Sequence, residues 1–122
     1  MSLVLNTGVY PPLMETRRLM LEQAGHTVIT AGEDQEIVIA CQQHRFDVAV
    51  IGQSAPPKLK RHLFSLIRRE CASAKILELV TPDVDKALQA ADSWLELPSL
   101  VPYALAKRVD ELAKGKKGNA TS

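Results

Sequence analysis

No apolar run in this 122-residue sequence approaches the ~18 residues that a membrane-spanning helix needs, and no basic-then-apolar leader opens it. Neither a membrane span nor secretion is expected, and the expected location is the cytoplasm. Cysteine is scarce. Cys41 and Cys71 are the only two, with no CxxC and no histidine at metal-ligand spacing, so no metal site is expected and both read as buried free thiols of a reducing compartment. An excess of one charge is also lacking: fifteen Lys plus Arg against fourteen Asp plus Glu leave +1, which calls for neither nucleic acid nor an anionic membrane as a direct partner. Asn6-Thr7-Gly8 is a glycine turn without GxGxxG or a P-loop lysine, so it is no phosphate cradle. His26, His44 and His62 are scattered, no nucleophile and base pair up, and no enzyme and no cofactor are expected. Three local absences matter later. Carboxylates are missing before Glu15 and between Asp47 and Glu70, and lysine is missing between Lys86 and Lys107.

What is present is an ordinary globule, 46% hydrophobic and 24% charged, of a size for one domain over residues 1–114, with a polar tail over 115–122. Its centre is Phe46-Asp47-Val48-Ala49-Val50-Ile51, a short apolar run opening into Gly52-Gln53-Ser54-Ala55-Pro56-Pro57. That pattern predicts a fully buried strand of a parallel sheet followed by a loop and a helix. Strands are also predicted at Leu3 to Asn6, Thr27 to Thr30, Ile76 to Val80 and Trp94 to Leu97. Helices are predicted between them: one from Pro11-Pro12 to a Gly25 cap, one from about Glu33, and one from Pro56-Pro57 with Lys58, Lys60, Arg61, Arg68 and Arg69 outside. A short fourth opens at Thr81-Pro82-Asp83 with Val84, Ala87, Leu88 and Ala91 inward, and a fifth is capped by Ser99 with Val101, Leu105, Val109 and Leu112 inward. Strict alternation of five strands with five helices implies an α/β three-layer sandwich.

Three segments in this order carry a resemblance: Leu21-Glu-Gln-Ala-Gly-His-Thr-Val28, Phe46 to Ile51 followed by Pro56, and Trp94-Leu-Glu-Leu-Pro98. Over residues 3 to 114 they resemble the receiver domain of bacterial response regulators in two-component and phosphorelay signal transduction. The resemblance implies a flavodoxin-like five-stranded parallel sheet of order 2-1-3-4-5, here with a shortened fourth helix. Receivers accept a phosphoryl group on an aspartate ending strand three, helped by Mg²⁺ on an acidic pair after strand one, a hydroxyl after strand four and a lysine after strand five. Charge gathering on the transferring oxygens requires such groups.

In this sequence the acidic pair aligns with Thr7-Gly8 or Gly8-Val9, the acceptor with Gly52, the hydroxyl with Val80 or its neighbour Thr81, and the lysine with Leu97. The expectation is an atypical receiver, or pseudo-receiver, whose phosphorylation pocket is vestigial, with no Mg²⁺. It would act through protein contacts or self-association on the face of helix four, strand five and helix five. By the resemblance that surface holds Trp94, Glu96, Tyr103, Lys107 and Arg108, although Trp94 also suits a role packed under the helices. Glu78 interrupts an apolar strand and is either open to water or paired with a cation. The basic row on helix three is either a solvated face or a docking patch. The alternative function is a flavodoxin-like small-molecule or cofactor-binding domain using the loops after strands one and three.

Overall fold

In the computed structural model, which describes residues 2–83, 86–99 and 103–115, the central run forms β3 (Val48–Ile51), buried at all four positions. Around it stand β1 (Leu3–Thr7), β2 (Thr27–Thr30), β4 (Lys75–Val80) and β5 (Ser93–Glu96), all parallel, in the order β2-β1-β3-β4-β5. The helices are α1 (Pro11–Gln23), α2 (Asp34–Gln43), α3 (Pro57–Glu70) and α4 (Ala104–Ala113). Prolines stand in the first turns of α1 and α3, where a missing N–H is harmless. After α1, Gly25 takes φ +97°, the left-handed conformation that turns the chain into β2. The Glu36 carboxylate accepts the Gly32 and Glu33 amides at 2.9 and 3.1 Å and so starts α2.

Successive strand residues face opposite ways, and the two cores follow that alternation. Leu5, Ala49, Ile51 and Ile76 bury one face against Ile37 and Ala40 of α2 and Leu63, Leu66 and Ile67 of α3. Val4, Val48, Val50, Leu77 and Leu79 bury the other against Leu21 of α1 and Leu105, Val109 and Leu112 of α4. The sandwich expected from the sequence is therefore observed, with helices covering both faces.

The departures from expectation gather between β4 and β5. No helix occurs among the described residues of 81–92, where a short one was expected; Val84 lies outside the described residues. Leu88 is buried in the α2/α3 core instead, with Ala87 and Ala91 against it. What holds the described part of this connection is Glu78, which is not open to water but fully buried in β4. Its carboxylate accepts the amides of Ala87 and Leu88 at 2.7 and 3.0 Å and pairs with Lys60 Nζ at 3.0 Å. Lys60, expected on the outer side of α3, is itself buried and also donates to the Leu79 carbonyl at 2.7 Å. Arg68, likewise expected outside, donates to the Ala90 carbonyl and Asp92, whose carboxylate accepts the Ile76 amide at 2.8 Å. Side-chain acceptors and donors here take the role of a helix's own ladder.

Two further corrections concern the ends of elements and the cysteines. The last helix starts at Ala104, five residues after Ser99, and Val101 and the tail past Gly115 lie outside the described residues. Cys41 and Cys71 are not free but form a disulfide between α2 and the end of α3, with Cα atoms 5.3 Å apart. The spacing of α2 and α3 on the sheet, which sequence periodicity does not reveal, brings them together. By the chain-entropy relation, closing this loop of 30 residues' separation contributes roughly 3.5 kcal/mol.

Removing one partner of a buried ion pair leaves the other uncompensated. Lys60→Met is expected to lower the unfolding free energy by about 3 to 5 kcal/mol in chemical denaturation. A loss of a few tenths of a kcal/mol, as at a surface pair, would contradict the role given to Lys60.

Candidate functional site

The carboxyl ends of β1 and β3 lie side by side, Thr7 opposite Ile51, with the Gly52 amide donating to the Thr7 carbonyl at 3.1 Å. Thr7 Oγ1 turns back to donate to the Val50 carbonyl at 2.7 Å. Over this junction lies Arg17. Met14, Arg17 and Leu21 are the buried residues of α1, at i, i+3 and i+7, so the arginine occupies the inward stripe of its helix. It is only 4% exposed.

Its guanidinium is held by neutral oxygens. Nη1 donates to Asn6 Oδ1 at 2.8 Å and to the Thr7 carbonyl at 3.2 Å, and Nη2 donates to Gln53 Oε1 at 3.0 Å. Asn6 is oriented for this by its own amide, which donates to the Met14 carbonyl at 2.9 Å and to Thr30 Oγ1 at 3.2 Å. Among the described residues no carboxylate pairs with Arg17, whereas its neighbour Arg18 pairs with Glu15 and Glu22. Burial pulls the Arg17 pKa down to about 10, which leaves it a cation at neutral pH.

Gly52 is where the strand comes closest to this cation. A Cβ built on Gly52 would meet Arg17 Nη2 at 3.0 Å, the Thr7 carbonyl oxygen at 3.2 Å and Arg17 Nη1 at 3.3 Å. The space a side chain at position 52 would enter is thus filled by the guanidinium.

Thr7, Gly8 and Gly52, expected together in a pocket, do meet at Arg17, and Val9 edges the same recess but is 44% exposed. Val80 stands apart, buried in the sheet, its carbonyl accepting the Leu97 amide at 2.8 Å. Thr81 and Leu97 line a larger cavity of about 570 Å³ on the other side of Arg17, bounded also by Met20, Gln53, Tyr103 and Leu105. No group of three or more His, Cys, Asp or Glu able to hold a metal ion occurs among the described residues.

Of the residues expected on the interaction surface, Glu96, Tyr103 and Lys107 are exposed, Tyr103 by 82%. Trp94 is half-buried beside Lys86, whose Nζ lies 5.4 Å from the ring centroid. Arg108 is turned inward, where it donates to Ser93 Oγ at 2.9 Å and to the Trp94 carbonyl and so ties α4 to β5.

Sequence reasoning missed Arg17, Asn6, Gln53 and Lys60. For Arg17 a signal exists: it interrupts the i, i+3, i+7 stripe begun by Met14 and completed by Leu21. Asn6 likewise interrupts an apolar strand. Gln53 and Lys60 carry no mark that separates them from solvated loop and helix residues.

Gly52→Ala, which asks a backbone carbonyl and a buried guanidinium to give way together, is expected to cost about 1 to 3 kcal/mol of stability in urea titration. A neutral or stabilising Gly52→Ala would show that Arg17 does not fill this space.

No protein-family model matches the sequence, and no curated protein is significantly similar to it. Solved structures do resemble it. The response regulator TrrA of Thermotoga maritima, in complex with Mg²⁺ and beryllofluoride, is 22% identical, with 92% of this chain and 99% of TrrA covered at a TM-score of 0.72. TrrA also occurs among these structures in complex with the histidine kinase ThkA, at the same identity and score, with 92% of this chain and 98% of that one covered. The receiver domain of a Pseudomonas aeruginosa sensor histidine kinase, with magnesium in its active-site cleft, is 18% identical over 94% of this chain and 98% of its own, at 0.70. A pilus assembly-related protein from Burkholderia pseudomallei is 19% identical over 95% of this chain and 92% of its own, at 0.72. At such identities the likeness is one of architecture, and on that ground this chain has the receiver-domain fold.

Proposed function

We propose that this chain is a receiver-like module of two-component or phosphorelay signalling that does not accept a phosphoryl group and acts through protein contacts. One observation carries the reading: position 52, at the carboxyl end of β3, has no side chain, and the Arg17 guanidinium stands where one would go. Phosphoryl transfer to a carboxylate needs the carboxylate as nucleophile and a metal with hard anionic ligands to bind the phosphate oxygens. Thr7, Gly8 and Val9 supply no such ligand, and a fixed arginine supplies positive charge to the site without one. Leu97, at the position aligned with the receiver lysine, leaves nothing on β5 to offset developing charge.

The partner is a protein or a second copy of the chain, met on β5 and α4. Trp94, Glu96, Tyr103 and Lys107 form the accessible part of that surface, and Arg108 positions it by holding β5 to α4. A half-buried tryptophan on the edge strand of the sheet is the kind of anchor that interfaces use. A net charge of +1 gives no support for direct binding to nucleic acid or an anionic membrane, and no helix among the described residues is long and apolar enough to cross a membrane. Cytoplasmic location belongs to the same proposal. In such a compartment the Cys41–Cys71 bond is the reducible element of the fold. The small-molecule alternative, which uses the loops after β1 and β3, has one observation in its favour, a cavity beside Arg17 to which Gln53 and Ser54 of the loop after β3 contribute but no residue of the loop after β1 does.

Incubation with Mg²⁺ and a small phosphodonor, followed by intact mass, is expected to show no adduct. A stable Mg²⁺-dependent gain of one phosphoryl group contradicts the reading. For the surface, Trp94→Ala is expected to keep the fold but weaken self-association or partner binding, measured by sedimentation velocity. An unchanged association constant in a folded Trp94→Ala protein removes this face from the proposal.

A further inference from the structure

We infer that the cavity between α1, α4 and the loops after β3, β4 and β5 binds a small organic anion, with Arg17 as the group that receives its charge. This deepens the small-molecule reading by naming the ligand's chemistry, and it does not depend on a protein partner. The walls are mainly apolar, from Leu13, Met20, Leu97 and Leu105, and line an open cleft of about 570 Å³, room for a compact aromatic or aliphatic body. Arg17 lines the same cavity, 4% exposed and, among the described residues, with only neutral acceptors. A desolvated cation held only by neutral groups is stabilised further when a bound carboxylate, sulfonate or phosphate ester accepts a charge-assisted hydrogen bond from it. Gln53, bonded to Arg17, and Ser54 and Thr81 line the cavity as well and supply polar groups for such a head group.

The chemistry predicts an amphipathic ligand, its anionic end at Arg17 and its body toward Leu97 and Leu105. An inorganic anion alone fills little of the apolar volume and binds weakly. A neutral aryl compound fills the volume but leaves the guanidinium unpaired.

Two fluorescent probes that differ only in charge test this: anilinonaphthalene sulfonate, and N-phenylnaphthylamine, the same aryl body without the sulfonate. The folded protein is expected to bind the sulfonate saturably, one per chain, at least about tenfold tighter than the neutral probe, the difference of one charge-assisted hydrogen bond. Arg17→Gln is expected to erase that preference. Because the variant loses a buried network and can fail to fold, Gln53→Glu provides an independent arm. Its carboxylate replaces an amide oxygen already 3.0 Å from Nη2 and acts as a tethered counter-ion, so it is expected to keep the circular dichroism of the parent, raise thermal stability and weaken sulfonate binding about tenfold. Equal binding of the two probes, or sulfonate binding untouched by Gln53→Glu, overturns the anion site while leaving a neutral small-molecule cavity. Absence of saturable binding by either probe overturns both.

Discussion

A guanidinium held out of water above two parallel strand ends fixes almost everything around it. The fold provides Arg17 with oxygen acceptors from two neighbouring places: the end of β1 through Asn6 and Thr7, and the loop after β3 through Gln53. The arrangement requires a residue without a side chain at position 52, since the guanidinium lies within contact distance of where a Cβ would stand. It also requires Asn6 to present its carbonyl upward, which its bonds to Met14 and Thr30 ensure. A covalently attached cation thus stands at the carboxyl ends of β1 and β3. An arginine does not exchange, carries no open coordination position and brings no nucleophile.

A second buried charge organises the opposite face. Glu78 and Lys60 sit in the α2/α3 core, where an isolated carboxylate or ammonium would be strongly disfavoured. Their pairing matters less for net stability than for what else each bonds. Glu78 receives two amides of the β4–β5 connection, and Lys60 ties α3 to the Leu79 carbonyl. A connection without a helix thereby still seals the sheet with Leu88. The two polar centres are alike in logic, each placing a long side chain from a helix onto backbone oxygens at the sheet, and they lie on opposite faces of it.

The layers and most element ends were legible in the sequence because they rest on short-range patterns, whereas the strand order came only from the resemblance. Four β-branched or apolar residues bounded by Asp47 and Gly52 can hardly be anything but a buried strand, and Pro11, Gly25 and Pro57 mark turns by their own backbone chemistry. That Gly52 stands at the carboxyl end of β3 and Leu97 at that of β5 was legible too, by counting along the two strands. What escaped was whatever depends on contact between distant segments. A lysine on a basic helix face looks solvated until Glu78 is placed beneath it. Two cysteines thirty residues apart look free until α2 and α3 lie together. A helix was expected after Thr81 because Ala87, Leu88 and Ala91 have helical spacing, yet Glu78 offers that segment's amides a different acceptor. Arg17 escaped for another reason: hydrophobic-stripe reasoning discards a charged residue in the stripe, and here that residue is the centre of the site.

The direct test of the central claim is an amide NMR titration with Mg²⁺ and beryllofluoride, followed at Gly8, Gly52 and Gln53. With Arg17 filling the space over Gly52, those amides are expected to stay in place while the spectrum of the folded protein is otherwise kept. Saturable, Mg²⁺-dependent shifts centred on these three residues would contradict the proposal that the guanidinium occupies this space and leaves none for a metal-bound phosphoryl group.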